Sequence, residues 1–398
     1  MQLFARVALS LMVGQLLQST VQKRPRSGDV CSSGRVRVVI GHDFMETYGG
    51  AERIVAEMAQ VFPDAPVIAI TGRPEVAQRM GVADRFISLL PPHPTLLRNY
   101  RLLAPLMPAI VDRFRLPEAD VLLTSSYAFA QRMRTANFAP QVCYCYNPLR
   151  FAWSMKDDYR SAWAPNRLAG YAFELFAYAM RKSDLHASRR VAHHVTLSAY
   201  AARQVRECYK RDAEIIPPPV DTTLFRPSES GAQDYYLFCG RLIEPYKRPT
   251  AVVEAFRHLP HRLVVAGDGP ELSRLRSIAT PNVEFVGLLR DAELVRAMQG
   301  SLATIFPSQD DFGLIPVEVA ACGRPVIAYA GGGALETVRR GVTGEFITEQ
   351  TAEAVLEAVR RFDPTAYDPA AIRSHAVRWS RDRFRRAIRA AVTQAASY

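Results

Sequence analysis

The chain has 398 residues, a net charge of +11, 48% hydrophobic residues and 22% charged residues. This length predicts two domains, and the composition is that of a globular protein that buries its cores without disulfides or metals. The basic residues are spread along the chain without an aromatic stripe, which argues against nucleic-acid binding and leaves phosphate-bearing ligands or an anionic membrane as partners.

Residues 1–34 are predicted to be an extension outside the fold. Leu3–Leu17 is mostly apolar but too short for a transmembrane helix, and the basic residues follow it, whereas a signal peptide carries them first. We expect the extension to be disordered or to touch a membrane, and an overlong assignment of the start codon is equally open. The six cysteines lack Cys-x-x-Cys spacing and predict reduced thiols in a cytoplasmic protein.

The first half alternates short apolar runs with helical patterns. Strands are predicted at Val36–Ile40, Val67–Ile70, Asp120–Thr124, Gln141–Tyr146 and Val195–Leu197. A polar turn is predicted over His42–Gly50, a helix over Ala51–Phe62 and one aromatic-rich helical stretch over 160–182. The alternation predicts a parallel sheet covered on both faces. Three prolines at 217–219 are incompatible with a helix or a central strand, so we place the domain at 35–217 and a linker at 218–234.

A second alternating series begins at Tyr235. Its strands are predicted at Tyr235–Phe238, Arg262–Ala266, Val283–Phe285, Leu302–Phe306 and Val326–Tyr329. Its helices are predicted at Thr250–His258, Glu271–Ile278, Asp291–Gln299, Pro316–Cys322 and Ala352–Arg361. We therefore place a second domain at 235–370 and a basic helix, Ile372–Val392, in the last segment, 371–398. The expected fold class is α/β, with two facing Rossmann-like, doubly wound domains and a ligand site at the carboxyl ends of the strands.

Charged residues and glycines follow the first strands of the second domain. Arg241 and Lys247 could bind a diphosphate together, since one offers a planar fork and the other a point charge; two solvated surface cations are the alternative. Gly267 and Asp268 follow the next strand. The glycine would let a ligand approach the backbone, unless the loop is only a tight turn before a helix.

The sharpest pattern runs from Asp310 to Glu318. Gly313 and Leu314 present backbone N–H groups where a helix begins, which is a ready anion site. Asp310, placed at the end of a strand, and Glu318, one to two turns into the helix, would hold sugar and ribose hydroxyls. A capped helix with an exposed glutamate is the alternative.

Two further glycine loops precede predicted helices. Gly49 and Gly50 open the first helix, where N–H groups could face a phosphate across the cleft, although a Gly-Gly pair alone is a weak signal. The glycines at 331–333 form another loop of close approach. These features all fall at strand ends of two facing domains, which favours one shared site.

Together these motifs resemble glycosyltransferase family four, the retaining GT-B glycosyltransferases, and especially its mannosyltransferase-like members. The resemblance covers roughly residues 36–390 and is most specific over 240–345. It is carried by HDFMETYGGAER, YCYNPLRFAW, PPPVDTTLF, CGRLIEPYKRP, VVAGDGPEL, EFVGLLRDAEL, DDFGLIPVEVAACGRPVIA and GGGALETV.

The resemblance implies a role for each matching residue. Arg241 and Lys247 match the family's diphosphate-binding pair. Asp310 and Glu318 match the two acidic positions of its E-x7-E motif, the first for donor-sugar hydroxyls and the second for the ribose. The remaining matches are contacts to the donor: Leu314 through its backbone, Leu289 and Asp291 near the nucleobase, and Gly49 and Gly50 near the phosphates.

Two positions depart from the family pattern. Asp310 stands where glutamate is usual, and its shorter side chain changes the reach to the sugar. Tyr146 stands where many relatives carry a histidine assigned to the donor-sugar site; tyrosine can donate a hydrogen bond but does not take up a proton near neutral pH. Tyr146 is either catalytic or an aromatic packing residue, and His42, expected to be exposed just past the first strand, is a conceivable substitute for the histidine.

The resemblance also implies the reaction. A retaining transfer by front-face attack is expected, with no cofactor and no metal, since the chain contains no Asp-x-Asp sequence and cations with helix N-termini can hold the diphosphate. GDP-mannose is favoured over a UDP-sugar as donor, and a glycan or lipid-linked molecule as acceptor, in polysaccharide or glycolipid biosynthesis. A non-catalytic nucleotide-sugar binder and another GT-B activity, such as an epimerase or phosphorylase, are the alternatives.

The expected location is cytoplasmic, with peripheral contact to the inner face of the plasma membrane. Tyr100–Leu116 combines three arginines with apolar residues, which suits an anionic membrane surface. A core helix pair broken by prolines is the alternative.

Overall fold

The computed structural model describes residues 36–90, 104–229 and 231–397. The predicted extension and the start of the segment Tyr100–Leu116 lie outside these residues. No helix among them is both long and apolar enough to cross a bilayer.

The first lobe is built on a seven-stranded sheet. Its strands are β1 (Val38–Met45), β2 (Val67–Gly72), β3 (Phe86–Ser88), β4 (Val121–Ser126), β5 (Gln141–Cys145), β6 (His193–Thr196) and β7 (Glu214–Ile215). Its helices are α1 (Gly50–Val61), α2 (Pro74–Arg79), α3 (Met107–Val111), α4 (Lys156–Trp163), α5 (Arg167–Ser188) and α6 (Ala199–Tyr209).

The second lobe is built on a six-stranded sheet. Its strands are β8 (Tyr236–Cys239), β9 (Leu263–Ala266), β10 (Val283–Gly287), β11 (Thr304–Phe306), β12 (Val326–Tyr329) and β13 (Gly344–Ile347). The helices that follow along the chain are α7 (Pro249–Phe256), α8 (Leu272–Ile278), α9 (Asp291–Gly300), α10 (Leu314–Ala321), α11 (Ala334–Thr337), α12 (Ala352–Arg361), α13 (Pro369–Ala376) and α14 (Arg381–Ala395).

Strand order explains where a site can form. The orders are β3-β2-β1-β4-β5-β6-β7 and β10-β9-β8-β11-β12-β13, and the pairings between named strands are parallel. The order therefore reverses between β1 and β4 in the first lobe and between β8 and β11 in the second. Crevices at such reversals bind ligands in doubly wound sheets. The predicted α/β class with two doubly wound parallel sheets is confirmed.

The central strands are buried on both faces because helices cover both sides of each sheet. Every residue of β1, β2, β4 and β5 is buried, which is why each of these strands contains an apolar run, although β1 also buries His42 and Asp43. Helix α1 buries Ile54, Val55, Met58 and Val61, the face expected from their spacing.

The last helix, α14, packs on the first lobe although it follows the second in sequence. The ring of Phe384 lies edge-on to Tyr144 of β5, with centroids 6.0 Å apart. Arg381 and Arg385 each place Nε 2.7 Å from the carboxylate of Glu57 on α1. A second link crosses between the lobes at α6, where the carboxylate of Glu336 in α11 accepts hydrogen bonds from the backbone N–H groups of Ala199 and Tyr200, both at 2.9 Å.

Three predicted elements were wrong in detail. The predicted turn over His42–Gly50 begins too early, since β1 continues to Met45. The stretch 160–182 is not one helix, because the chain breaks between α4 and α5, where the Asn166 side chain caps α5 by accepting from Ala169 N at 2.9 Å. The predicted helix Ile372–Val392 is divided into α13, a 3₁₀ turn at Val377–Trp379 and α14.

Candidate active site

The two lobes meet at the start of α1. Gly49 is its N-cap residue, and its backbone N–H donates to Glu52 Oε2 at 2.9 Å. A Cβ at Gly50 would lie 3.0 Å from Cδ1 of Leu314, the first residue of α10 in the second lobe. Gly50 and Leu314, two residues predicted to contact the donor, are therefore brought together across the cleft.

Lys247 and Asp310 form an ion pair on the second lobe. Lys247 Nζ lies 2.9 and 2.6 Å from the two carboxylate oxygens of Asp310, and the side chains are 15% and 17% exposed. The ammonium also lies 4.8 Å from the ring centre of Tyr246. Asp310 does not stand at the end of a strand as predicted, because β11 ends at Phe306 and Asp310 lies in the loop that follows.

Glu318 is paired with an arginine from the opposite lobe. Its carboxylate, 7% exposed, accepts from Arg53 Nη1 at 2.7 Å. Burial raises the pKa of Glu318, and the Arg53 guanidinium acts in the opposite direction. Asp291, at the start of α9, contacts Arg53 at 3.4 Å and Arg79 of α2 at 3.2 Å. The predicted ribose acid is thus buried and neutralised by a first-lobe cation, and the alternative of an exposed glutamate is wrong.

Gly50, Arg53, Asp291, Leu314 and Glu318 line one cavity of about 260 Å³ between the lobes. We call it the interlobe cavity. Four of the five are predicted donor contacts.

The Lys247–Asp310 pair belongs to the same neighbourhood. Burial raises the pKa of the Cys239 thiol at the end of β8; Glu318 raises it further and Lys247 lowers it. Lys247 Nζ also lies 5.9 Å from the centre of the Phe306 ring, and a Cβ at Gly313, the residue before Leu314, would lie 3.5 Å from the same ring. Among the described residues no group of histidine, cysteine, aspartate or glutamate side chains is arranged to hold a metal ion.

The glycines after β8 and β9 pack against each other. Gly240 and Gly267 have φ angles of 149° and 156°, and a Cβ at Gly267 would fall 1.9 Å from the carbonyl oxygen of Gly240. The contact between the two loops by itself requires glycine at 267. Asp268 is exposed, and Arg241 is exposed with no ion pair to the described residues. Arg241 is free to bind an anion, but the structure does not bring it into contact with Lys247.

A similar contact between backbones explains Gly332 and Gly333. A Cβ at Gly332 would lie 2.3 Å from the Asp310 carbonyl oxygen, and one at Gly333 would lie 2.3 Å from Phe312 Cα. This loop therefore fixes the turn that carries Asp310 and Gly313. Gly313 itself has φ of 82° as the residue that precedes α10, a conformation that favours glycine.

Tyr146 lies under the start of α1. Its hydroxyl is 3.0 Å from Ser125 Oγ and donates to the Ala51 carbonyl oxygen at 3.3 Å. Burial raises the pKa of Tyr146, so the phenol stays protonated near neutral pH. The prediction that His42 is exposed was wrong: it lies inside β1, fully buried, with Nδ1 3.0 Å from Ser125 Oγ.

Two family profiles match consecutive parts of the chain. Residues 48–224 match "Glycosyltransferase Family 4", and residues 221–363 match "Glycosyl transferases group 1". The chain has the two-lobed GT-B fold, and each lobe matches a glycosyltransferase profile. The mannosyltransferase-like subtype expected from the motifs remains a prediction.

Curated relatives of this GT-B chain include D-inositol 3-phosphate glycosyltransferases. The protein of Mycolicibacterium gilvum is 33% identical over 195 residues, which are 42% of this chain and 43% of the relative. That of Mycobacterium leprae is 36% identical over 179 residues, 37% and 40% of the two chains. The chain spans about half the length of the curated relatives it matches, or less.

Solved structures share the fold over most of their length. Anabaena HepE in complex with UDP superposes with a TM-score of 0.66 at 16% identity, covering 90% of this chain and 100% of that one. A glycosyltransferase from Rickettsia africae gives a TM-score of 0.60 at 16% identity, with 90% and 98% covered. At this identity the likeness concerns the fold.

Sequence reasoning missed the residues that join the lobes. Arg53 lies within the predicted first helix, and nothing local indicates that it faces Glu318, 265 positions away. Asp311, beside the predicted acid Asp310, accepts from Asn147 Nδ2 at 2.8 Å and forms an ion pair with Arg150. The two consecutive acids therefore face opposite lobes. The sequence offers two signals for these contacts between the lobes: a basic residue one turn into α1 and the Asn-Pro-Leu-Arg run after β5.

Leu289, the other residue predicted near the nucleobase, is half-buried in the loop before α9. Its neighbour Leu288 is 80% exposed. This loop leads directly to Asp291 in the interlobe cavity.

Proposed function

We propose that this chain transfers a sugar from a nucleoside diphosphate to an acceptor hydroxyl, with retention of configuration and without a metal ion. The observation that carries the proposal is the pair of charge contacts at the cleft. Arg53–Glu318 lines the interlobe cavity with Gly50 and Leu314, and Lys247–Asp310 joins the loops that follow β8 and β11. Both cations can turn from an internal carboxylate to a phosphate when the donor enters.

In this proposal each charged group has one task. Lys247 and Arg241 bind the diphosphate and stabilise the charge that grows on it as the sugar leaves. Asp310, released from Lys247, accepts hydrogen bonds from sugar hydroxyls. Glu318, released from Arg53, accepts them from the ribose. The N–H groups at the starts of α1 and α10 add partial positive charge on either side.

The donor and the acceptor are proposed from the motif resemblance and from the names of similar proteins. We propose GDP-mannose as donor, on the motif resemblance, and a UDP-sugar as the competing donor, because the HepE structure contains UDP. We propose a glycan or lipid-linked acceptor, reached through peripheral contact with the plasma membrane. D-inositol 3-phosphate is the second acceptor candidate, since the curated relatives are named for it.

A thermal shift screen tests donor binding. GDP-mannose and GDP are compared with UDP-glucose and UDP, and the favoured pair should raise the melting temperature more. Arg241→Ala should abolish the shift, while Arg257→Ala, which removes an exposed arginine just after α7, should preserve it. An unchanged shift in Arg241→Ala would remove Arg241 from the site.

A tracer experiment tests the reaction. Labelled donors are incubated with the protein alone, with membrane extract and with D-inositol 3-phosphate. Transfer to either acceptor supports the proposal and identifies the acceptor class. Binding without turnover indicates a non-catalytic nucleotide-sugar binder, and conversion without acceptor indicates an epimerase or phosphorylase.

A further inference from the structure

Helix α5 carries a row of exposed large apolar side chains on its outer face. Leu168, Tyr171, Leu175 and Tyr178 are 80%, 74%, 70% and 54% exposed. Their spacing of three and four residues places them on one face of the helix. We call these four residues the α5 stripe.

The α5 stripe is not needed for the core. The buried face of α5 is formed by other residues, including Phe173, Ala177, Met180 and Asp184. Asp184 accepts hydrogen bonds from Trp153 Nε1 at 2.9 Å and from the Tyr209 hydroxyl at 2.8 Å, so this face is anchored from several sides. The stripe therefore exposes an apolar surface that folding does not account for.

An exposed tryptophan extends the α5 stripe at its amino end. Trp163, the last residue of α4, is 43% exposed. Its ring contacts Tyr159 at 5.2 Å and Phe173 at 6.2 Å between centroids, so the indole is held in place by aromatic neighbours. Fixed tryptophan and tyrosine side chains with one wet and one apolar side are favoured at the boundary between a bilayer and water.

The most exposed charged residues on and just after the same helix are basic. The exposed charged side chains from Arg167 to Arg190 are basic, apart from the titratable His186. Lys182 lies next to the stripe, with Nζ 4.7 Å from the ring centre of Tyr178. The acid Glu174 is turned to Lys156, at 3.1 Å. Exposed acids do occur at the start of α4, at Asp157 and Asp158.

A row of exposed apolar side chains followed by basic residues is typical of a surface that binds an anionic membrane. A helix lying in the plane of a membrane buries apolar side chains at the acyl boundary and places lysine and arginine among anionic headgroups. We propose that the α5 stripe, with Trp163, Lys182, Arg189 and Arg190, docks the first lobe on an anionic lipid bilayer. The membrane contact of the proposed function would then lie on α5. The α5 surface rests on the proposed function only in that a lipid-linked acceptor would bring the protein to a membrane.

Vesicle co-sedimentation with the full chain tests the proposal. Vesicles of phosphatidylcholine with phosphatidylglycerol should bind the protein, and pure phosphatidylcholine should bind it much more weakly. Replacing the four stripe residues by serine should abolish binding. The matched control, Ile87→Ser with Phe138→Ser, removes two other exposed apolar residues of the first lobe (43% and 63% exposed) and should bind like wild type.

Charge reversal tests the basic part of the surface. Each basic residue near an anionic bilayer contributes about fivefold to binding, so Lys182→Glu, Arg189→Glu and Arg190→Glu together should weaken it at least about 100-fold. Arg360→Glu with Arg361→Glu, at the end of α12 in the second lobe, should have little effect. Equal losses in both variants would show a response to net charge and overturn the proposal.

Trp163 reports the contact directly. In a protein with Trp153→Phe and Trp379→Phe, anionic vesicles should shift the emission of Trp163 to shorter wavelength, and brominated lipids should quench it. Absence of both effects despite binding would place the contact elsewhere. Light scattering that finds a dimer, converted to monomer by the serine variant, would assign the stripe to a second copy and also overturn the proposal.

Donor binding is measured on the same variants. Loss of vesicle binding with an intact nucleotide-sugar thermal shift supports the α5 surface alone. A missing shift in wild type that still binds vesicles would contradict the proposed transferase and leave this surface intact.

Discussion

Replacing Lys247 by methionine separates two explanations for the Lys247–Asp310 pair. Methionine keeps much of the apolar stem and removes the charge, so Asp310 is left without its cation. If Lys247 only neutralises Asp310, then Asp310→Asn in the same protein should repair the damage. If both residues act on the donor, the double variant stays inactive.

The burial of the pair sets the expected cost in stability. Its side chains are 15% and 17% exposed, between surface pairs that contribute about 0–1 kcal/mol and fully buried pairs whose disruption costs about 3–5 kcal/mol. Lys247→Met should therefore lower the free energy of unfolding by about 2 kcal/mol. The double variant should recover most of this loss, because neither charge remains.

The expected cost in activity is of a different kind. A hydrogen bond to a charged group contributes about 1.5–3 kcal/mol, so loss of the phosphate contact should lower kcat/KM by about 10- to 150-fold. Asp310→Asn adds the loss of an acceptor for sugar hydroxyls. The double variant should be at least as impaired as Lys247→Met alone.

The assay is a double-mutant cycle with two readouts. Urea unfolding gives the coupling in stability, and initial rates with the preferred donor give the coupling in kcat/KM. Recovery of kcat/KM in step with stability would refute the reasoning and reduce Lys247 to a structural partner of Asp310.

Three further predictions concern acid stability, loop packing and metals. Burial lowers the pKa of His194 from 6.5 to about 4, so the unfolded chain takes up a proton at higher pH than the folded protein does. About 3 kcal/mol of stability is therefore lost as the pH falls from 6.5 to 4. In His194→Leu the urea midpoint should depend less on pH over this range, and an unchanged pH dependence would exclude His194 as its cause. Gly333→Ala should lower the free energy of unfolding by about 1–3 kcal/mol, because the added methyl group overpacks against Phe312, and it should weaken donor binding. The control is Gly341→Ala, whose Cβ would have no atom within 4 Å and would cause only backbone strain. Equal losses in melting temperature for the two variants would contradict the packing argument. Activity should persist in excess EDTA, and collapse of turnover there would show that a metal is required.

The sequence predicted those features of the structure that depend on a single local cause. Buried parallel strands read as apolar runs because both faces are covered, and glycines mark the loops whose backbones touch. The alternation therefore predicted the fold class and the helix that carries Glu318.

Pairings between distant residues were out of reach. Glu318 faces Arg53, and Asp311 faces Arg150, because the lobes close on each other, and no local pattern encodes that closure. His42 was misplaced because polar residues usually indicate a turn. Its neighbour Asp43 is buried with it, since the Asp43 carboxylate accepts from the N–H groups of residues 127–130 at 2.6–2.8 Å, which replaces solvent.

The bridge from Glu336 to the first turn of α6 has a consequence for motion. The Glu336 carboxylate of the second lobe accepts hydrogen bonds from two backbone N–H groups of the first lobe. Separation of the lobes at this point therefore breaks both hydrogen bonds. Widening of the cleft is thereby linked to fraying at Ala199 and Tyr200, and amide exchange at those two positions would follow the opening equilibrium.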